Sequence, residues 1–366
     1  MKRIDIYSDI SYSGYQHINQ MLFRGMSNSK HIKVSFLYRF YMNSLKLKYV
    51  NRVIKFIFKY LKNFFNKKNI ACERDARINV DVKKVWNFPS ANILFDYINS
   101  NVVLFQLRKF EKDTAITFVP SKALSSVFSR YDNLIYYCVH DSSKQDYDNR
   151  HKYYEKEMVE IARLVFCDNE DVINRLSGEA GWCSIIDIDT DNVTDGKFYL
   201  VPPPVPSPFY SCSRKSGFEF EFVYYGSIHK DIDVELLYEI SKRHKILIIS
   251  FERFDIPDEC EIYFYNATSD LELLVEYIGR AKAILLPYKN TIFMDTISPA
   301  KINQSLATNK VIYCSNIKLC HKYGLKEIYF GFDAEIEVEW ENNLLTEIDK
   351  YSEINLVSKI ESLIIN

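Results

Sequence analysis

The sequence predicts an α/β protein built from two doubly wound domains that face each other across a cleft. Three observations predict it. Short apolar runs alternate with amphipathic stretches along most of the chain, a Pro-rich segment interrupts the alternation near its middle, and the alternation then restarts. Short apolar strands separated by helices are parallel strands buried on both faces. A length of 366 residues suits two domains of ordinary size.

The elements follow in order. Arg3–Ser8 reads as a first strand, Tyr15–Met26 as a helix and Ile32–Tyr38 as a second strand. Ala115–Val119, Leu134–Val139 and Leu164–Cys167 are further short apolar strands. A helix near Glu170–Leu176 and a strand at Phe198–Val201 close the half, so a first domain is expected over 1–201. Pro202-Pro-Pro-Val-Pro-Ser-Pro208 and the polar residues to Ser216 read as a stiff linker over 202–216. The second domain, expected over 217–366, repeats the pattern. Its strands are Phe220–Tyr225, Lys245–Ser250, Glu261–Tyr265 and Ala283–Tyr288, with helices at Asp233–Lys242 and Leu271–Arg280.

Composition narrows the class. With 47% hydrophobic residues the chain can fill two cores. Eight cysteines are scattered without a CxxC, which predicts buried reduced thiols in the cytoplasm and neither a disulfide frame nor a zinc site. The first residues read as a strand and not as a signal peptide, and no apolar run reaches the ~20 residues of a membrane span. The glycine-rich dinucleotide and P-loop fingerprints are absent.

Chemistry concentrates near the C-terminus. Ala283-Ile-Leu-Leu-Pro-Tyr288 is a buried strand, Ser298-Pro-Ala-Lys301-Ile-Asn-Gln304 opens a helix abruptly, and Lys310-Val-Ile-Tyr-Cys314 is the next strand. Ser298 is a suitable N-cap and Pro299 suits the first helical position. The helix N-terminus favours an anion, Lys301 adds a full charge in the first turn, and Gln304 shares that face with an amide that both donates and accepts. The set can seat a diphosphate and its sugar, or it can be an ordinary αβ unit with a surface lysine. Gly226-Ser227 ends the first strand of the second domain, where glycine lets backbone approach a phosphate or simply permits a turn. His229 and Lys230 follow, either helping the diphosphate or solvated.

In this order the landmarks resemble the two-Rossmann-domain (GT-B) glycosyltransferases of bacterial surface-polysaccharide synthesis. They are Tyr7-Ser-Asp-Ile with Gly14 and Gln20, Tyr136-Tyr-Cys-Val-His-Asp141, Ala162-Arg-Leu-Val-Phe-Cys-Asp168, Leu200-Val-Pro-Pro-Pro-Val205, Tyr224-Tyr-Gly-Ser-Ile-His229 and the 283–314 segment. The paired glutamates of retaining members are replaced by Thr296 and Gln304. The Ser-Pro-x-Lys-x-x-Gln form is instead similar to the inverting glucuronosyltransferase family of xanthan-type synthesis. That resemblance implies a diphosphate contact for Lys301, a donor-pocket role for Tyr288 and a donor contact for Gln304. The family's further acidic donor contact finds only Ala267 or Thr268, so the sugar stays open. The implied donor is a UDP-linked sugar used as substrate, with no cofactor and no metal.

Inverting transfer needs a base for the acceptor hydroxyl and groups that stabilise the departing diphosphate. Asp141 follows the strand Leu134–Val139, which places it at a carboxyl end as that base, with Asp146 the runner-up; a helix N-cap or turn is the alternative. Asp9, at the end of the first strand, is assigned to the acceptor side, with a turn role as its equal alternative, and Gly14 is assigned to the acceptor side.

The last signal is electrostatic. From Ile10 to Cys72 there is no acidic residue, while twelve Lys or Arg occur. Lys48, Arg52, Lys55, Lys59 and Lys62 recur at helical steps beside an apolar stripe that includes Val53, Ile54, Ile57 and Leu61. Such a basic amphipathic insertion, near 41–88, predicts docking on an anionic membrane at the inner face of the plasma membrane, with a polyprenyl-linked glycan acceptor. A solvated helix face is the plain alternative, and nucleic acid is not expected. Two further classes stay open: a non-catalytic glycan- or nucleotide-binding module and a nucleotide-sugar epimerase.

Overall fold

The computed structural model describes residues 2–12, 17–38, 81–88, 93–107, 113–139, 149–182, 184–188, 196–212, 217–291, 294, 300–331 and 348–365. The chain divides into two units, residues 1–202 with 357–366 and residues 203–356.

The first unit runs β1 (Lys2–Ser8), α1 (Ile18–Ser27), β2 (Ile32–Tyr38), β3 (Asp81–Lys84), α2 (Ile93–Leu107), β4 (Thr114–Thr117), α3 (Lys122–Phe128) and β5 (Asn133–Cys138). It continues with α4 (Asn149–Ile161), β6 (Leu164–Cys167), α5 (Glu170–Glu179), β7 (Ile185–Asp187) and β8 (Phe198–Leu200). Its eight strands lie in the order β3-β2-β1-β4-β5-β6-β8-β7, every pair parallel. Chain direction across the sheet reverses between β1 and β4.

The second unit opens with a 3-10 turn at Ser207–Ser211, then β9 (Phe220–Tyr225), α6 (Val234–Ser241), β10 (Ile246–Ser250), β11 (Ile262–Asn266) and α7 (Leu271–Gly279). β12 (Ala281–Leu286), α8 (Ala300–Ala307), β13 (Ile312–Cys314), α9 (Ile317–Tyr323) and β14 (Lys326–Glu327) follow. The sheet order β11-β10-β9-β12-β13-β14 is again parallel throughout. The central strands fill the core: Phe222, Val223, Ile246–Ile249 and Ala283–Leu286 are all buried. Side-chain caps explain where helices start. Asp233 accepts from Leu236 N, Asp270 from Glu272 N and Leu273 N, and Asn316 from Leu319 N.

Three features differ from the sequence reading. The described part of the segment expected as a linker, 202–212, is packed, because Val205 and Phe209 are buried in the second unit's core. The last helix, α10 (Glu353–Ile365), belongs to the first unit from Val357 onward. Asp81–Lys84, expected inside the insertion, is an edge strand registered on Ser35–Tyr38 of β2.

Helix α2 was not expected either, and its first two turns invert the usual polarity, while Val103 and Leu107 further along are buried. Ile93, Leu94 and Tyr97 are 74, 62 and 69% exposed, whereas Asp96, Asn99 and Ser100 are buried. Asp96 accepts from Arg150 at 2.9 Å and from the Tyr154 hydroxyl at 2.8 Å, and the Asn99 amide pairs with both backbone groups of Phe88. Inward polar groups are tolerated because each is hydrogen-bonded. The described cysteines are free: Cys138, Cys167, Cys314 and Cys320 are buried, and Cys212 and Cys260 half-buried. No described helix is long and apolar enough to cross a membrane.

Candidate functional site

In a doubly wound sheet, ligands settle at the carboxyl ends of the strands where chain direction across the sheet reverses. In the second unit that point lies between β9 and β12: from β9 the chain moves outward to β10 and β11, then returns to β12 on the other side. The loop after β9 carries Gly226, and the helix after β12 carries Lys301.

These two residues meet. Gly226 has φ +131°, a conformation open to glycine and strained for other residues. A Cβ there would collide with Nζ and Cε of Lys301. Lys301 is held in place from below. The hydroxyl of Tyr225, the last residue of β9, donates to Lys301 O at 3.3 Å and pairs with Ser305 Oγ at 2.9 Å, tying the first turns of α8 to β9. Ile302 is fully buried and Asn303 Nδ2 donates to Pro203 O at 3.4 Å, so α8 has no freedom to turn about its axis. Nζ stands 5.4 Å over the Tyr224 ring, and the Tyr224 hydroxyl donates to Ser227 O at 2.7 Å, fixing the turn past Gly226.

The electrostatics of this corner are unbalanced. Lys301 is half-buried, and among the described residues its Nζ has no hydrogen-bond or ion-pair partner. Burial pushes its pKa down to about 8, with the Glu252 carboxylate pulling the other way. A desolvated ammonium without an anionic partner is costly unless a ligand supplies one. Glu252, after β10, is already engaged: its Oε2 accepts from Ser250 Oγ at 2.9 Å and from Ile228 N at 3.4 Å, which holds its carboxyl below the usual range. The exposed Ser227 offers a hydroxyl and an N–H beside Gly226. His229 Nδ1 accepts from Asp231 N at 3.3 Å, and burial together with Lys301 lowers its pKa, so the 3.6 Å approach to Asp231 Oδ2 is not an ion pair at neutral pH.

The structure thus brings Gly226, Ser227 and Lys301 to one corner, with Gln304 buried one turn along α8 on the same helix face. Tyr288 is not exposed there. It is 2% exposed within the core, near Tyr224 and Tyr225, where burial raises its pKa, so its ring contributes to the floor under the site and not to an open pocket wall. Asp9 is exposed just past β1, in the first unit. Asp141, Gly14, Ser298, Lys48, Arg52, Lys55, Lys59 and Lys62 lie outside the described residues. Sequence reasoning missed Tyr224, Tyr225 and Glu252. The tyrosines read as strand residues, and nothing in the sequence couples Glu252 to a loop 24 residues away.

No protein-family model matches this sequence, and no curated protein matches it. Solved structures do. A glycosyltransferase from Rickettsia africae ESF-5 is 12% identical, with 99% of this chain and 92% of that one covered at a TM-score of 0.53. HepE from Anabaena, solved in complex with UDP, is 10% identical over 100% of this chain and 94% of its own, with a TM-score of 0.50. The two units carry the GT-B fold. A UDP-GlcNAc 2-epimerase from Methanocaldococcus jannaschii shares it as well, at 10% identity, 99% coverage of both chains and a TM-score of 0.50.

Proposed function

We propose that this GT-B protein is a glycosyltransferase that moves a sugar from a nucleoside-diphosphate donor to a growing surface-polysaccharide acceptor. The observation that carries the reading is the Lys301 ammonium seated against Gly226 at the sheet's reversal point, with no ion-pair partner among the described residues. A diphosphate supplies the missing negative charge, Ser227 and the start of α8 supply donors, and Gln304 reaches toward the sugar. Support for a nucleotide-sugar donor comes from the UDP held by the Anabaena neighbour.

In the proposed reaction the acceptor hydroxyl attacks the anomeric carbon with inversion. The bond from that carbon to the diphosphate oxygen breaks, Asp141 takes the hydroxyl proton, and Lys301 stabilises the charge left on the nucleoside diphosphate. The charge on Lys301 makes a metal unnecessary, so turnover should survive EDTA. The xanthan-type similarity of Ser298-Pro-x-Lys-x-x-Gln304 favours a uronic or hexosyl sugar on UDP. Binding of UDP and UDP-sugars by calorimetry, followed by release of UDP with and without polyprenyl-linked glycan, tests the reading. UDP binding without turnover would leave a binding module, and interconversion of the sugar at C2 would favour the epimerase reading raised by the archaeal neighbour.

The acceptor is proposed to be lipid-linked, with the protein docked at the cytoplasmic face of the membrane. The basic run that includes Lys48, Arg52, Lys55, Lys59 and Lys62 supports this, as does the apolar exposed face of α2, where Ile93, Leu94 and Tyr97 stand in water. Sedimentation with anionic vesicles, released at 1 M salt where the Debye length falls to about 3 Å, tests it. Equal sedimentation of wild type and an Arg52→Glu, Lys55→Glu, Lys59→Glu variant would sink it.

A further inference from the structure

Phe251 is 79% exposed, the most exposed large apolar side chain among the described residues. It is the first residue past β10, on the same carboxyl edge as Gly226 and Lys301. Its backbone is tightly placed. On one side Gly226 N donates to Ile249 O at 2.9 Å, and on the other Ala267 N donates to Ser250 O at 3.2 Å. The next residue, Glu252, accepts from Ser250 and from Ile228 of the Gly226 loop, so the turn that presents Phe251 is the turn that braces the phosphate corner.

The direction a nucleotide would take from that corner is constrained. Toward β13 the edge is filled by the protein's own loop. Asn316 Nδ2 donates to Lys289 O at 3.0 Å, Ile317 N to Asn290 Oδ1 at 2.9 Å, and Asn290 Nδ2 to Ser315 O at 3.1 Å. Toward β10 lies the exposed ring. β10 pairs directly with β9, so its end is about one strand spacing, ~4.8 Å, from the Gly226 loop. A ribose and base extend further than that from their diphosphate.

We infer that Phe251 is the stacking platform for the nucleobase of the nucleoside diphosphate whose phosphates sit at Gly226 and Lys301. The inference rests on the proposed donor reading and adds its base subsite. Stacking on an aromatic face tolerates any base, so the ring supplies affinity for the nucleoside, and choice among bases falls to hydrogen-bonding groups around it. Beside it, Arg253 is held on Asn266 Oδ1 at 3.0 Å at the end of β11, which places a side-chain amide on that rim.

Calorimetry with UDP and with inorganic pyrophosphate on the full chain tests this. Phe251→Ala should weaken UDP about 10-fold or more and leave pyrophosphate unchanged, whereas Lys301→Met should weaken both. Phe251→Trp should retain UDP affinity, and its added tryptophan emission should be quenched by UDP and not by pyrophosphate. Unchanged UDP affinity in Phe251→Ala, or an equal loss for both ligands, overturns the stacking role while the phosphate seat stands. Absence of binding of either ligand by wild type overturns the donor reading and the base subsite with it.

Discussion

Replacing Lys301 by methionine separates a functional lysine from a structural one. The substitution keeps an unbranched stem over Tyr224 and removes the charge. A fall in pKa from the ordinary 10.5 to about 8 means the ammonium is disfavoured by about 3 kcal/mol relative to water, at ~1.4 kcal/mol per pKa unit. Residual water contact at this half-buried side chain screens part of that, leaving about 1–3 kcal/mol. The folded-state pKa is depressed for a cationic acid. The destabilisation is therefore fully present below about 8 and is relieved as pH rises from there through 10.5. Lys301→Met should thus melt at the same temperature as wild type or higher at pH 7, and lose UDP affinity by about 10- to 150-fold, the range of a charge-assisted contact. Bound diphosphate raises the lysine pKa again, so wild-type affinity for UDP should fall as pH rises from 7 to 9.5 while that of the variant stays flat. Calorimetry across that range with parallel thermal melts reads all three. A variant that melts several degrees lower with unchanged UDP affinity would refute the reasoning and make Lys301 a structural residue.

The other predictions address neighbouring parts of the argument. Gly226→Ala places a methyl on Nζ of Lys301 at φ +131°, so it should cost about 1–3 kcal/mol by denaturant melt and also weaken UDP; wild-type values for both would show the corner to be loose. Asp141→Asn should bind UDP normally and turn over about 10²-fold more slowly, and near-normal transfer would pass the base role to Asp146. Asp96→Ala removes a buried acceptor from Arg150 and Tyr154 and should destabilise by about 3 kcal/mol; a loss under 1 kcal/mol would mean that Arg150 finds water instead.

Much of the fold was legible because parallel strands are short, apolar and bounded. Ile32–Tyr38, Leu164–Cys167 and Phe220–Tyr225 fall where the sequence puts them, and the other expected strands lie within two residues of their expected bounds. Helices with a side-chain cap and one apolar face, such as those begun by Asp233 and Asp270, were legible for the same reason. Helix α2 was not. In its N-terminal half Ile93, Leu94 and Tyr97 face water while Asp96, Asn99 and Ser100 face inward beside Val103 and Leu107, so the usual period is mixed, and the partners Arg150, Tyr154 and Phe88 make that arrangement stable.

The candidate site divides along the same line. A glycine at a strand end and a lysine in a first helical turn are local signals, and the sequence by itself singled out Gly226, Ser227, Lys301 and Gln304. That Gly226 and Lys301 touch, that Tyr225 anchors the helix bearing the lysine, and that Tyr288 is floor and not wall were decided by tertiary structure. The reason is sheet order. β9 and β12 are neighbours in space with two strands and two helices between them in sequence, and desolvation of an ammonium depends on what packs around it, which no local pattern of residues encodes.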